Sequence, residues 1–288
     1  MLQDIFPKQY HVEFTWKNPQ MEDLCFVFRG QETLERLENN QLRLPTYGEL
    51  SPLAEGAVYL FRVDERDYFL VWLKEGALPV GYEWHTIRGE RRKKSKEMVF
   101  AEATAHHLDL WYRANRFCGH CSAPTEHDRR ERMLRCPACG EMIFPKICPA
   151  VIVAVTDGER ILLSRYQRRT YKGYGLIAGF VEIGETAEET VRREVMEEVG
   201  LRVKDIRYYG SQPWGLAGNL SLGYFARLVG DDAIYLDGKE LSEAGWYRRE
   251  EIDLETEDYS LTNDMIQAFR RGEHEERTER GNYDVTEL

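Results

Sequence analysis

Glu194, Glu197 and Glu198 stand at positions i, i+3 and i+4 of the stretch GFVEIGETAEETVRREVMEEVGL, residues 179–201. On a helix this spacing makes neighbours of all three side chains, with Cβ atoms roughly 5–6 Å apart. Like charges so close destabilise an isolated helix. A hard divalent cation relieves the repulsion, because Mg²⁺ takes oxygen ligands and keeps several of its waters. An acidic cluster by itself is more often a solvated face than a metal site, so the residues around it decide the reading.

Those residues describe a helix that would hold the carboxylates in place. Thr186-Ala187-Glu188-Glu189 has the form of a capping box, in which the threonine oxygen takes an early helical N–H and the glutamate reaches back. Ala187, Val191, Val195 and Val199 recur every four residues, the apolar stripe of a helix lying on a core. Gly200 can turn left-handed and end it. Gly179 and Gly184 imitate the spacing of a phosphate-binding loop, but Glu185 stands where that loop needs lysine and would repel a phosphate. No GxGxxG run occurs, so a Rossmann dinucleotide-binding unit has no support.

A second constellation lies upstream. Cys118-Gly119-His120-Cys121 and Cys136-Pro137-Ala138-Cys139 are two CxxC pairs separated by fourteen residues. Each pair turns tightly enough to put both thiolates on one ion, and four close a tetrahedral Zn²⁺ site with Zn–S near ~2.3 Å. A closed shell has no position for water, so this metal is structural. His120 falls inside the first pair as a bystander. A redox role is the poorer reading, since two pairs at this separation cooperate as ligands. Cys25 and Cys148 lie among apolar residues and read as small core side chains. Such usage is that of a reducing compartment rather than a disulfide framework. Ribbons of this kind also bind nucleic acid or protein, and the spacing does not choose.

The remaining composition sets bounds. At 288 residues, with 42% hydrophobic and 12% aromatic side chains, the chain has room for about two domains with packed cores. No apolar run approaches the ~20 residues needed to span a bilayer. The start MLQDIFPKQY lacks the order of a signal peptide, and the final TEL is no organelle address. A soluble, cytoplasmic protein without a membrane partner is the expectation. A net charge of −11 argues against a broad electrostatic grip on nucleic acid. The basic run Arg91-Arg92-Lys93-Lys94, with Lys96, is expected to be a solvated loop between domains.

In chain order, residues 1–96 carry strand-like runs at 24–28, 58–63 and 68–73 and form a small β-containing domain. His11 and His85 are isolated there. Residues 97–116 make a connecting helix, on which the adjacent His106 and His107 point about 100° apart and share a metal poorly. The ribbon occupies 117–145. Residues 146–274 alternate strands, at 150–155, 161–164 and 175–181 before the acidic helix and at 206–212, 220–228 and 245–248 after it. A last amphipathic helix around 262–270 buries Met265, Ile266 and Phe269. Residues 275–288 form a charged tail, expected to fray.

The spacing Gly179-x5-Glu185-x7-Arg193-Glu194-Val195-x-Glu197-Glu198-x-Gly200-Leu201 resembles the complete Nudix box, with every fixed position kept. Ten residues beyond it comes Ser211-Gln212-Pro213-Trp214. Zinc ribbon, box and SQPW, in that order, resemble the NADH pyrophosphatase (NAD⁺ diphosphatase) subfamily over roughly residues 98–270. The resemblance implies an α/β fold, a Nudix α/β/α sandwich preceded by the ribbon and the small N-terminal domain. It implies a homodimer that cleaves the pyrophosphate of NAD(H) to AMP and nicotinamide mononucleotide; some members remove NAD caps from RNA.

The same resemblance carries roles onto residues. Mg²⁺ or Mn²⁺ would be held by Glu194, Glu197 and Glu198, with Glu240 as a further carboxylate from a later loop. Arg193 would orient the glutamates through charge-assisted hydrogen bonds, and Glu185 would support the box. Glu198 or Glu197 would take the proton of the attacking water. Phe180 is similar to the aromatic that stacks on a base, with Gln212, Trp214 and Asn219 lining the same pocket. Phe144 stands where the family has tyrosine. Ordinary core packing is the commoner fate of such rings. After Trp214 the subfamily's Pro-Phe-Pro-x-Ser is replaced by Gly215-Leu216-Ala217-Gly218-Asn219, from which a less rigid loop is expected. Two other readings stay open: a Nudix hydrolase of ADP-ribose or a diadenosine polyphosphate, and a nucleotide sensor without catalysis. The second has no need for every carboxylate of the box.

Overall fold

A computed structural model of the chain describes residues 1–167, 173–236, 238, 240–253 and 259–273. The tail expected at 275–288 lies outside these residues. Two compact units result: Leu2–Ile147 with Trp214–Gly218, and Met1 with Cys148–Pro213 and Asn219–Leu288.

The second unit is built on the strand Cys148–Asp157, whose run Val151-Ile152-Val153-Ala154-Val155 is apolar at every position. Such a run belongs to a strand covered on both faces. Val151, Val153 and Val155 pack with Val191, Val195 and Val199 of the acidic helix, Ala187–Val199. Ile152 and Ala154 instead join Leu261, Met265, Ile266 and Phe269 of the C-terminal helix, Leu261–Arg271. The two-residue alternation of one strand thus places the helices on opposite faces, which is the expected α/β/α sandwich. Each fully buried valine or leucine here stabilises the fold by about 1.5–3 kcal/mol.

Around that strand the sheet has six members. Asn219–Val229 lies parallel to it and carries Arg202–Trp214 at its outer side. Arg160–Tyr166 follows in an antiparallel turn and pairs with Leu241–Arg248. Ile177–Phe180 pairs antiparallel with the first part of the central strand. The acidic helix begins as its capping box requires: the Thr186 hydroxyl accepts from Glu189 N at 3.2 Å, and Glu189 accepts from Thr186 N at 2.8 Å. Gly200 ends it at φ 71°, the left-handed conformation that glycine adopts without steric cost.

The first unit holds two small sheets, a helix and the ribbon. Ala54–Val63 and Arg66–Leu73 form a hairpin flanked by Tyr10–His11 and Leu24–Phe26. Glu32–Glu38 pairs with Gln41–Arg43 and with Glu83–Thr86. Lys96–Ala114 is the connecting helix, capped by Ser95 and buried along Ala101, Ala105, Trp111 and Tyr112. The ribbon strands Glu126–His127, Leu134–Arg135 and Met142–Ile143 follow. His127 stacks on Tyr112 with ring centroids 5.1 Å apart. Arg132 donates to the Leu60 carbonyl and lies 5.4 Å from the Phe14 ring.

Within the basic run, Arg92 is exposed as expected, but Lys94 departs from the solvated loop that the composition suggested. The Lys94 side chain is fully buried, its ammonium 2.7 Å from a carboxylate oxygen of Glu35 and 2.7 Å from one of Glu102. Thr33 donates to Glu102 at 2.5 Å. Burial, and then the nearby Glu102, push the Glu35 carboxyl up to about 7. One cation draws in two acids, one from a strand and one from the helix. Such a non-local pairing leaves no periodic trace in the chain.

Candidate active site

Arg193 is the hub of the acidic helix. Its Nε and Nη2 donate to the two oxygens of Glu185, each at 2.8 Å, a bidentate geometry suited to guanidinium. Nη1 donates to Glu194 at 2.6 Å and to Glu197 at 3.3 Å, and Nη2 also reaches the Phe180 carbonyl at 3.0 Å. Glu185 further accepts from the Thr190 hydroxyl at 2.7 Å and from Glu182 N at 3.2 Å. The Arg193 bonds, followed by that from Thr190, hold the Glu185 carboxyl down to about 2. It is therefore a permanent anion whose work is to fix the arginine.

Glu194 lies against the strand Ile177–Phe180, where a side chain on residue 179 would have to displace its carboxylate. A Cβ built on Gly179 would stand 1.9 Å from Glu194 Cδ and 1.9 Å from its Oε1. The box glycine is thus an opening for a carboxylate, not a turn residue. Glu194 is mostly enclosed, its side chain 13% exposed, whereas that of Glu197 is 59% exposed. Glu198 is 4% exposed. Burial raises the Glu194 carboxyl; Arg193 opposes this, and the charges of Glu197 and Glu240 add to it. Glu240 therefore lies within electrostatic reach of Glu194, and its main-chain carbonyl is fixed by Gln167 N at 3.0 Å.

These carboxylates suit a hard divalent ion in donor type: all are oxygen ligands, and their mutual charge raises the proton affinity of Glu194. The residues that would hold Mg²⁺ or Mn²⁺ are Glu194, Glu197, Glu198 and Glu240. Among the described residues, the donor group whose ligand atoms all lie within 4.8 Å is instead the cysteine quartet. The carboxylates are spread more widely. Cys118 and Cys139 Sγ are 3.6 Å apart, and Cys121 and Cys136 Sγ 3.4 Å. Sulfurs ~2.3 Å from a tetrahedral zinc ion stand ~3.8 Å from each other, so the quartet fits a structural zinc site. Its knuckles are closed by Ser122 N to Cys118 O at 2.9 Å and by Gly140 N to Cys136 O at 3.0 Å.

The residues expected to line the substrate pocket are drawn from both units. Phe180 is 54% exposed beside Arg193. Asn219 opens its strand and donates to Ser221 Oγ at 3.0 Å. Gln212 is 1% exposed, and its amide is committed to backbone: Nε2 donates to Tyr259 O at 2.9 Å and Oε1 accepts from Leu261 N at 2.7 Å. It fastens the start of the C-terminal helix. Trp214 and Phe144 belong to the first unit. There Trp214 has the Arg91 guanidinium 5.7 Å from its ring, and Phe144 is exposed.

The loop after Trp214 is not loosened by its glycines. A Cβ on Gly215 would meet the Ala103 carbonyl oxygen at 2.1 Å, so the loop lies directly on the connecting helix. Gly218 takes φ +70°, with His107 Nε2 3.4 Å from where its Cβ would be. His107 itself bonds to the Lys146 carbonyl at 2.8 Å. The signal available in the chain was the pairing of small residues, Ala103 and Gly215.

Residues 146–269 match the NUDIX domain, and residues 113–144 match the NADH pyrophosphatase zinc ribbon domain. The NAD-capped RNA hydrolase NudC of Chromobacterium violaceum is 34% identical over 229 residues, 80% of this chain and 84% of that protein. The protein of the same description from Pectobacterium atrosepticum is 43% identical over 145 residues, 50% of this chain and 55% of its own length. With that relative the match thus spans about half its length. A crystal structure of a NUDIX hydrolase from Nitrosomonas europaea covers 55% of this chain and 92% of its own, at 22% identity and a TM-score of 0.48. Sandwich and box define a member of the Nudix superfamily. Within it, the chain belongs to the NADH pyrophosphatase family. No helix among the described residues is long and apolar enough to cross a membrane.

Proposed function

We propose that this chain hydrolyses the pyrophosphate bond of NAD(H), yielding AMP and nicotinamide mononucleotide, and that it also takes NAD-capped RNA. The observation that carries the reading is the complete acidic array around Arg193, with Gly179 opened to admit Glu194. When bound, Mg²⁺ or Mn²⁺ supplies charge neutralisation at the pyrophosphate and acidifies a water. Arg193 holds Glu194 and Glu197 through its single nitrogen Nη1, and Glu185 keeps Arg193 from turning away. Glu198 or Glu197 accepts the proton as the water oxygen bonds to phosphorus and the bridging P–O bond breaks. Phe180, exposed at the edge of this array, offers a face on which a base can stack. A cytoplasmic homodimer is part of the same reading and rests on the family likeness alone.

The test is a chromatographic screen with Mg²⁺ or Mn²⁺ over NADH, NAD⁺, ADP-ribose, a diadenosine polyphosphate and NAD-capped RNA. NADH giving AMP and reduced nicotinamide mononucleotide faster than ADP-ribose is cut supports the assignment. Glu198→Gln is expected to fold and to lose most turnover. Near wild-type rates in that variant at saturating metal would sink the carboxylate assignment. Nucleotide-induced stabilisation with no product would instead mark a sensor.

A further inference from the structure

Thr190 is fully buried inside the acidic helix, four residues after the capping Thr186 and five after Glu185. A threonine inside a helix ordinarily turns its hydroxyl back to the carbonyl four residues earlier. That acceptor is present, with Thr190 Oγ1 3.0 Å from Thr186 O. The Glu185 carboxylate is nearer, its Oε2 2.7 Å from the same hydroxyl. One hydroxyl proton serves one acceptor at a time, and the ionised one makes the stronger bond. Position 190 falls among the seven residues between Glu185 and Arg193 that the box spacing leaves unconstrained.

The two oxygens of Glu185 are gripped unequally. Oε1 accepts from Arg193 Nε at 2.8 Å. Oε2 accepts from Arg193 Nη2 at 2.8 Å, from Thr190 at 2.7 Å and from Glu182 N at 3.2 Å. Two parallel bonds join guanidinium and carboxylate into one planar unit. Only a donor outside the pair stops that unit from swinging as a body. The loop supplies Glu182 N at the longer distance; the helix supplies Thr190, a buried β-branched side chain with few rotamers. Arg193 Nη1 lies at the other end of the unit, where it holds Glu194 at 2.6 Å and Glu197 at 3.3 Å.

We propose that Thr190 is a positioning residue for the divalent metal: its hydroxyl anchors Glu185 and, through Arg193, fixes the carboxylates that take Mg²⁺ or Mn²⁺. It touches neither metal nor substrate. Its role presupposes that the acidic array is the metal site of a pyrophosphate hydrolase.

Two variants separate the hydroxyl from the methyl. Thr190→Val keeps the shape and removes the donor, whereas Thr190→Ser keeps the donor and removes a packed methyl. The full-length, zinc-loaded protein is assayed for NADH turnover at saturating Mn²⁺, for Mn²⁺ binding by electron paramagnetic resonance without substrate, and for thermal melting. Thr190→Val is expected to lower kcat about fivefold with KM unchanged and to weaken Mn²⁺ binding several-fold, less than the roughly 10–100-fold of a group bonded directly to a ligand. Thr190→Ser is expected to stay within about twofold of wild type in both, although it melts below Thr190→Val. A merely structural role would rank activity in the order of the melting temperatures, Val above Ser. Wild-type kcat and Mn²⁺ affinity in Thr190→Val, or a Thr190→Ser variant as impaired as Thr190→Val, overturns the proposal. A wild type that binds Mn²⁺ and cuts no dinucleotide sinks the hydrolase reading alone, and the Mn²⁺ titrations then decide on Thr190. A wild type that binds no Mn²⁺ sinks both.

Discussion

Gly179 and Glu194 share one space: a Cβ on the glycine would lie 1.9 Å from the glutamate Cδ. Replacing the glycine by alanine therefore expels the carboxylate rather than straining the backbone. Gly179→Ala is expected to keep its melting temperature within a few degrees and to lose about 100-fold in turnover, the scale of a 1 Å misplacement. NADH cleavage with Mn²⁺, read beside a thermal melt, checks it; turnover within twofold of wild type would show that the position of Glu194 is immaterial.

Arg193 serves three carboxylates through a planar fork, and a lysine cannot span them. Arg193→Lys should lose at least tenfold in turnover and roughly 1 kcal/mol of stability, as for a partly exposed ion pair. The sign with pH follows from Glu185, whose carboxyl is held at about 2 in the fold. Its contribution is present above the ordinary 4.5 and is lost as pH falls towards 2. Acid titration of the variant should move that loss to higher pH.

Glu35 has the opposite sign. Its folded carboxyl sits at about 7 against 4.5 when exposed, so the folded state holds the proton more tightly. Its contribution to stability is fully present below pH 4.5 and is lost as pH rises through about 7. Urea melts at pH 5 and pH 8 should show the decline in the wild type, and Glu35→Gln should flatten it. An unchanged slope in the variant would place the titration on another group.

The four thiols predict about one zinc per chain, released by strong chelators with loss of the ribbon's fold. Cys136→Ser should lower the melting temperature and the zinc content together. Retention of zinc by that variant, measured by elemental analysis, would contradict the tetrahedral quartet.

Much of this architecture was legible in the chain. The four-residue stripe of Val191, Val195 and Val199 and the Thr186 box specify the acidic helix locally, and the structure keeps both. The unbroken apolar run 151–155 announces a strand covered twice. What could not be read arises from contacts between distant segments. Lys94 looks like its basic neighbours until Glu35 and Glu102 are brought to it. Nothing local to Gln212 announces that its amide oxygen takes the N–H of Leu261, which starts a helix far along the chain. Gly215 looked like a loosened loop because its partner, Ala103, lies more than a hundred residues earlier.

The seating of the ribbon carries a practical consequence. His127 rests on the Tyr112 ring, 6.2 Å from that of Trp72, and Arg132 is pinned to Leu60. A protein trimmed at residue 113 would keep all four ribbon cysteines and the whole acidic helix, yet strip the floor from beneath its own zinc module. Such a truncation would be sticky in solution, and its poor behaviour would say nothing about the chemistry of the half that remained.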